Sequence, residues 1–174
     1  MSMVFSSNEL INAAINIERR GISFYDVMAK STDNEEARAV FEGLVSMERE
    51  HIRIFEGMLS EGYERQQPEE SAQEYSGYLQ ALIEDAVFTD DAITSEMAMQ
   101  ADSDIKALEL GISAEKDSIL FYYEMRDLMP KKDTAVINGI IAEEKSHLQQ
   151  LSEIKKKLAE DELYDENSQD RPYP

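Results

Sequence analysis

The two histidines of the chain each follow a glutamate by three residues, in Glu48-x-x-His51 and Glu144-x-x-His147. Residues three apart lie on the same face of a helix, so each pair presents a carboxylate oxygen and an imidazole nitrogen to one point. Oxygen and imidazole donors that converge in this way are suited to binding a divalent metal ion. Each motif therefore predicts part of a metal site, provided that it lies on a helix that faces the protein interior.

Two further glutamates stand where the helical pattern requires apolar residues. Glu18 lies three residues after Ile15 and four before Ile22, and Glu115 has isoleucines at the same two spacings. An ionised carboxylate in an apolar interior is costly unless it is protonated, paired or bound to a metal. The adjacent basic residues fall on other helix faces, whereas two divalent cations would neutralise four carboxylates. The predicted metal ligands are Glu18, Glu48, His51, Glu115, Glu144 and His147.

The predicted ligands belong to an internal repeat. Residues 15–28 resemble the segment 97 positions later, and residues 41–51 resemble the segment 96 positions later. The repeat matches the lone glutamates with each other and the two Glu-x-x-His motifs with each other. The chain therefore looks like one helical hairpin written twice, with half of a two-metal site in each copy.

Neighbouring acidic residues are alternative candidates for the ligand positions. Glu143 stands four residues before His147, but its repeat counterpart is Met47, so the better candidate is Glu144. Glu109 falls on nearly the opposite helix face from the predicted ligand of its segment, and we expect its side chain to be in solvent.

Two tyrosines are also repeat counterparts. Tyr25 and Tyr122 lie seven residues after Glu18 and Glu115, which is two helical turns. They are either plain core aromatic residues or donors of a hydrogen bond to a ligand carboxylate, and both descriptions can hold together. In the second role they are candidates for moving a proton or an electron at the site.

Long helices must position these residues. Only seven glycines and four prolines interrupt the 174 residues, which favours long helices over many short strands. The apolar pattern predicts a domain over 1–163 with long helices at 8–30, 34–60, 104–129 and 133–163, a crossover at 62–103 that contains a shorter helix at about 70–87, and an acidic, flexible tail at 164–174. Two helices, a long crossover and two more helices form an all-α four-helix bundle.

Capping residues mark where these helices begin. Ser6 with Glu9 three residues later forms a capping box, and Ser103 is the expected cap of the third long helix. Thr32 with Glu35 is the expected start of the second long helix, by the same capping rule.

Charge and composition exclude several functions. The net charge of -20 argues against nucleic acid and anionic membranes as partners, since both require basic patches. Because the chain has no cysteine, disulfides, thiolate zinc sites, iron–sulfur clusters and thiol catalysis are ruled out. No signal peptide or membrane-spanning stretch is recognisable, and we expect a soluble, cytoplasmic protein.

These motifs resemble the rubrerythrin and bacterioferritin branch of the ferritin-like superfamily. The likeness covers about residues 5–160 and rests on the segments IERRGISFY (17–25), FEGLVSMEREH (41–51), ALELGISAEKDSILFY (107–122) and IAEEKSH (141–147). It implies a ferritin-like bundle that holds two iron ions per chain in a homodimer. By the same resemblance, Glu18 and Glu115 would be terminal ligands, and Glu48 and Glu144 would bridge the two ions.

The sequence departs from that family pattern in two ways. Rubrerythrins usually carry a rubredoxin domain that feeds electrons to the site, and a chain without cysteine lacks it. Many also carry an extra carboxylate one turn along the third helix, where this chain has Ser118. Relative to the family that the chain resembles, these two departures imply a more symmetric site and an external electron donor protein.

Three functions are consistent with these features. The first is a non-haem di-iron oxidoreductase that reduces hydrogen peroxide or dioxygen. Manganese is the alternative to iron at this site, and the purified protein is a candidate for a mixed or zinc-substituted site. The second is a ferroxidase that handles iron, as in bacterioferritins, and the third is a metal-free helical bundle or adaptor. Manganese catalases and di-iron oxygenases share much of the ligand order.

Overall fold

Five α-helices account for most of the chain. The computed structural model describes residues 5–62, 72–84 and 103–169, and no strand occurs in these ranges. The helices are α1 (Ser7–Ser31), α2 (Glu35–Glu61), α3 (Ala72–Glu84), α4 (Asp104–Leu128) and α5 (Thr134–Gln169), with a short 3-10 turn at Lys131–Asp133. The predicted all-α fold is confirmed.

Side-chain caps fix the starts of α1 and α4. The Ser6 hydroxyl accepts a hydrogen bond from the backbone N–H of Glu9 at 3.3 Å, and the Glu9 carboxylate accepts from the backbone N–H of Ser6 at 2.7 Å. The Ser103 hydroxyl accepts from the backbone N–H of Lys106 at 3.2 Å. Each bond satisfies a backbone donor that has no partner within the helix. The capping box and the Ser103 cap are thus confirmed.

The predicted cap of α2 is wrong. The Asn34 side chain, not that of Thr32, accepts hydrogen bonds from the backbone N–H groups of Glu36 and Ala37, at 3.0 and 2.9 Å. Thr32 instead ends α1, and its hydroxyl donates to the Asp104 carboxylate at 2.7 Å. The same hydroxyl accepts from the backbone N–H of Asn34 at 3.1 Å, so both of these hydrogen bonds of Thr32 lie outside the first turn of α2.

The last helix is longer than the sequence pattern suggested. It continues through residues 164–169, which were assigned to the acidic tail, and ends at Gln169. Neither glycine nor proline occurs between Gly139 and Pro172, so no residue interrupts the helical hydrogen bonds. Residues 170–174 of the predicted tail lie outside the described residues.

The crossover contains the predicted shorter helix. α3 runs over Ala72–Glu84 and packs against α4. The predicted helix at about 70–87 extends beyond it at both ends, onto residues that lie outside the described part of the chain.

The bundle packs as two hairpins. α1 lies against α2, and α4 lies against α5, while the hairpins meet through contacts between α1 and α4 and between α2 and α5. One apolar cluster includes Phe24, Phe41 and Leu151, and a second includes Phe55 and Phe121. In every long helix of the bundle, the predicted ligands fall between the residues of these two clusters. The site therefore occupies the middle of the bundle, with apolar packing above and below.

No helix in the described residues is both long enough and apolar enough to cross a membrane.

Candidate metal centre

All six predicted ligands are buried in the middle of the bundle. The imidazoles are completely inaccessible to solvent, and none of the four glutamates exceeds 2% exposure. One helical position from each of α1 and α4, and two from each of α2 and α5, supply these side chains. Burial of four carboxylates in so small a volume requires cations or protons to neutralise them.

The six residues form two overlapping groups, each able to hold one metal ion. The His51 group consists of Glu18, Glu48, His51 and Glu144, and the His147 group consists of Glu48, Glu115, Glu144 and His147. Within each group, one ligand atom per residue lies within 4.8 Å of the others. Glu48 and Glu144 belong to both groups, which is the geometry that two bridging carboxylates require. The structure thus brings all six together, and their role as metal ligands stays a prediction.

The two imidazoles face the centre with the same nitrogen. His51 Nδ1 lies 3.1 Å from Glu48 Oε2, 3.0 Å from Glu144 Oε1 and 3.5 Å from Glu18 Oε1. His147 Nδ1 lies 3.4 Å from both shared glutamates and 3.7 Å from Glu115 Oε2. The ring centroids are 5.7 Å apart with an interplanar angle of 26°. Each group therefore presents one nitrogen and three carboxylates to its centre.

Several of these buried atoms have no hydrogen bond within the described part of the chain. They are Glu115 Oε2, Glu144 Oε1, and both ring nitrogens of His147. The contact between Glu144 Oε1 and His51 Nδ1 is short, at 3.0 Å, but does not have hydrogen-bond geometry. Buried polar atoms without partners are rare, and metal ions at the two group centres would provide partners for Glu115 Oε2, Glu144 Oε1 and His147 Nδ1, which face the cluster. Hard carboxylate oxygens with one imidazole per ion suit iron or manganese.

The two tyrosines connect the halves of the site. The Tyr25 hydroxyl on α1 donates to Glu115 on α4, and the Tyr122 hydroxyl on α4 donates to Glu18 on α1. Each tyrosine thus bonds the lone glutamate of the other hairpin, not the one on its own helix. Both rings are also buried in the apolar clusters. The structure therefore gives them both of the roles that the sequence left open, as core aromatic residues and as hydrogen-bond donors to candidate ligands.

Burial and mutual contacts set the charges of the metal-free cluster. Burial, together with repulsion from neighbouring carboxylates, raises the pKa of Glu18 and of Glu115 well above the ordinary glutamate value. Burial opposes ionisation of Glu48 and Glu144 too, yet close polar contacts with the imidazoles and with the lone glutamates lower their pKa. The metal-free site thus favours two protonated and two ionised glutamates.

The imidazoles are charged in the same state. Burial alone would lower the pKa of each, but the surrounding carboxylates outweigh it, raising the pKa of His147 to about 12 and that of His51 also far above its ordinary value. Two imidazoliums then balance two carboxylates, and the metal-free cluster is neutral overall. Burial and the same carboxylates raise the pKa of Tyr25 and Tyr122, so both hydroxyls keep their protons.

Metal affinity is therefore expected to increase with pH. A metal ion displaces protons from the imidazoles and from the two protonated glutamates, because all these pKa values lie above their ordinary range in the metal-free protein. Each proton released makes the apparent affinity fall about tenfold per pH unit on acidification. Calorimetric titration with Zn(II) between pH 6 and 8, in buffers of different ionisation enthalpy, measures the protons released. A pH-independent affinity would contradict this protonation scheme.

A small cavity lies beside the cluster, between α1 and α4. Its volume is about 30 Å³, and Glu18, Glu48 and Glu115 line it together with Gly21 and Ser118. Leu82 of α3 also lines the cavity. A space of this size holds one or two water-sized molecules. The cavity thus leaves room for a very small molecule next to the candidate metal positions.

The two competing glutamates lie outside the groups. Glu109 is 44% exposed and pairs with Lys155 at 2.9 Å, in agreement with its predicted solvent position. The Glu143 carboxylate, which is 52% exposed, accepts a hydrogen bond from His51 Nε2 at 2.8 Å. Sequence reasoning weighed Glu143 only as a ligand beside His147 and missed this contact. One feature of the sequence could have indicated it: Glu143 is acidic, whereas its repeat counterpart Met47 is apolar.

The packing of Tyr25 depends on a glycine of α4. A Cβ atom at Gly111 would lie 3.2 Å from Tyr25 Cε1 and 3.3 Å from Leu151 Cδ1, and both of these side chains are buried. A Cβ atom at Gly43 in α2 would have no atom of the described residues within 4 Å, apart from its own helix backbone and chain neighbours. Replacing a helical glycine by alanine gains about 1 kcal/mol of helix propensity, whereas overpacking a core costs about 1–3 kcal/mol.

We therefore expect Gly43→Ala to stabilise the protein and Gly111→Ala to be about 1–3 kcal/mol less stable than Gly43→Ala. Urea unfolding of the two metal-free variants measures this difference. Equal stabilisation by both substitutions would show that the Tyr25 ring moves aside without cost.

Comparisons with known proteins agree with this architecture. The sequence matches the model of the Rubrerythrin family over residues 9–155, which includes all six candidate ligands. A solved structure from Thermotoga maritima, described as a ferritin-like diiron-carboxylate protein, is 26% identical with a TM-score of 0.64, over 90% of this chain and 98% of that one. No match was found among curated proteins. The chain belongs to the rubrerythrin family.

Proposed function

We propose that this protein is a non-haem di-iron oxidoreductase that reduces hydrogen peroxide or dioxygen. The observation that carries the proposal is the pair of buried Glu₃His groups that share Glu48 and Glu144 beside a small cavity. A purely structural bundle would have no use for four buried carboxylates, since apolar residues of similar volume are generally at least as stabilising.

Two iron ions per chain would be held by the residues already described. Glu48 and Glu144 would bridge the ions, Glu18 and Glu115 would each bind one ion, and each imidazole would complete one group through Nδ1. Manganese is the alternative metal, because it takes the same oxygen and imidazole donors.

The bound metal pair would supply two electrons, one from each ferrous ion, which with two protons convert one hydrogen peroxide into two waters or one dioxygen into hydrogen peroxide. A separate electron donor protein would then restore the reduced state, since the chain has no cysteine with which to hold a rubredoxin-type iron. We further propose that the protein acts as a homodimer, as the family resemblance implies.

The chain contributes orientation, exclusion of water and proton control. Tyr25 and Tyr122 hold the lone glutamates through hydrogen bonds that cross between the hairpins. Their hydroxyls are the proton donors nearest to Glu115 and Glu18, and the apolar clusters above and below keep bulk water away from the site. Low solvent access strengthens each of these electrostatic contacts.

A single experiment distinguishes the candidate functions. Protein loaded anaerobically with Fe(II) is mixed with hydrogen peroxide or with air-saturated buffer in a stopped-flow spectrometer, and iron oxidation is followed with and without an added reductant. We expect about two irons oxidised per chain and repeated turnover with the reductant. Oxidised iron that leaves the protein would favour the ferroxidase, and failure to bind iron would favour the metal-free adaptor. Iron-loaded protein that is inert to both oxidants would refute the proposal.

The tyrosines give a second test of the same function. Tyr25→Phe and Tyr122→Phe remove one hydrogen bond each while keeping the buried ring. We expect metal content to persist, but oxidation of the bound iron to slow by about 10–100-fold, the typical effect of losing a residue that holds a metal ligand. Because the two tyrosines are repeat counterparts with equivalent hydrogen bonds, we expect the two variants to slow oxidation to a similar extent. An unchanged rate in both would leave the tyrosines with a packing role alone.

A further inference from the structure

The two imidazoles differ on the side that faces away from the cluster. His51 Nε2 donates to the Glu143 carboxylate at 2.8 Å, across from α2 to α5. His147 Nε2 is buried and has no hydrogen-bond partner among the residues that the structure describes. The Nδ1 atoms, by contrast, face their groups in the same way. The asymmetry is therefore confined to the outer nitrogens.

The internal repeat explains this difference. Glu143 precedes His147 by four residues, and the same position before His51 is Met47. By the repeat, the residue that corresponds to Glu143 for His147 is therefore Met47. A thioether is only a weak hydrogen-bond acceptor. One half of the repeat thus carries a charged acceptor for the opposite imidazole, and the other half does not.

A hydrogen bond at the outer nitrogen controls what the inner nitrogen can do. A carboxylate that accepts from Nε2–H fixes the tautomer with the proton on Nε2, leaves the Nδ1 lone pair on the cluster side and makes the imidazole a stronger donor. It also locks the ring orientation, so less freedom is lost when a metal binds. His147 has neither advantage.

We propose that Glu143 is a positioning residue for His51 and makes the two metal positions unequal, so that the His51 group binds its ion more tightly than the His147 group. This inference rests on the proposed two-metal function, but it concerns the order and strength of binding and not the reaction. The Glu143 side chain is about half exposed, so it also links a fully buried imidazole to the protein surface through one hydrogen bond.

Metal titration of the full chain tests the inequality. Co(II) is added to metal-free protein, and its visible absorption gives the affinity of each step; we expect two separate steps in the unmodified protein. Glu143→Leu should weaken the tighter step by about 10–100-fold. Glu143→Gln keeps an acceptor oxygen and should recover part of that loss. Met47→Glu supplies the missing acceptor opposite His147 and should strengthen the weaker step.

A matched control separates positioning from general charge. Glu50 is exposed, directly precedes His51 in the chain and pairs with Arg53 at 2.7 Å. Glu50→Leu removes the same charge near His51 without touching the imidazole. It should leave both steps within about twofold of the unmodified protein. Equal losses in Glu50→Leu and Glu143→Leu would refute a positioning role for Glu143.

Imidazole NMR of the Zn(II)-loaded protein assigns the effect to one ring. The chain has only two histidines, so the nitrogen-15 spectrum contains two imidazole systems. We expect a slowly exchanging, hydrogen-bonded Nε2–H for His51 alone, which Glu143→Leu removes and Glu143→Gln retains. Met47→Glu should create a second such signal at His147.

The outcomes separate this inference from the proposed function. Two metal ions that bind with equal affinity, unaffected by either Glu143 variant, would overturn the inference while leaving the di-iron function intact. Failure of the unmodified protein to bind any metal would overturn both.

Discussion

Replacement of Glu48 or Glu144 by alanine is expected to empty both metal positions rather than one. Each of these carboxylates belongs to both ligand groups, so its loss removes one of four ligands from each ion. The loss also leaves less negative charge between the two imidazoles, whose ring centroids lie 5.7 Å apart. We expect the affinity for both ions to fall by more than about 100-fold, the upper figure for residues that merely support a ligand. Elemental analysis after anaerobic Fe(II) loading measures the remaining occupancy.

Two further variants test whether the loss of both ions is specific to the shared glutamates. Glu18→Ala removes a residue that belongs to one group only, and it should reduce occupancy to about one ion per chain. Glu109→Ala removes a half-exposed carboxylate on the same helix as Glu115, and it should leave occupancy at the level of the unmodified protein, since exposed ion pairs contribute little. If Glu109→Ala emptied the site, the helical register assigned to α4 would be wrong. If Glu48→Ala removed only one ion, the shared position of Glu48 would have no functional meaning.

Metal removal is expected to lower the melting temperature substantially. An ion that binds only the folded state stabilises it by about 4 kcal/mol when its free concentration is about 1,000 times its Kd. For a chain of this size, each kcal/mol shifts the melting temperature by about 2–4 °C. We therefore expect at least about 8 °C between chelator-treated and fully loaded protein. Differential scanning calorimetry with and without a chelator measures the shift.

The Glu48→Ala variant serves as the control for this stabilisation. Its melting temperature should not respond to added metal, because neither ion has its full set of ligands. A melting temperature of the unmodified protein that does not depend on metal would contradict the metal-centre proposal and favour the metal-free adaptor. The comparison is independent of any assumption about substrate, since it measures binding alone.

The candidate ligands could be predicted from the sequence because each is identified by its spacing from other residues of the same helix. The three-residue interval in Glu144-x-x-His147 places both side chains on one face of any helix. Glu18 was recognisable because it interrupts an apolar stripe whose other members must be buried. The internal repeat then favoured Glu144 over Glu143 as the ligand, and the Glu143 carboxylate lies outside both groups, half exposed to solvent.

The helix ends show where local rules were insufficient. Thr32 and Asn34 are both acceptable capping residues, and the sequence around them does not say which one is free to cap. The Thr32 hydroxyl donates to Asp104, seventy-two positions away, and accepts from the backbone N–H of Asn34, whereas the Asn34 side chain caps α2. Similarly, the acidic composition at the end of α5 predicted a flexible tail. No glycine or proline interrupts this segment, however, and the helix continues as far as Gln169.

The amino-acid sequence by itself determined the all-α class, the duplicated hairpin, the burial of four glutamates and two histidines, and their distribution over four helices. All of these follow from periodicity within single helices, which short-range geometry controls. Only the tertiary structure decided that Tyr25 bonds Glu115, that Tyr122 bonds Glu18, and that Glu143 bonds the outer nitrogen of one imidazole. The outer nitrogen of the other imidazole has no hydrogen-bond partner in the ranges that the structure describes. These contacts depend on the rotation and offset of helices that lie about a hundred residues apart in the chain, and packing of the apolar clusters sets that arrangement.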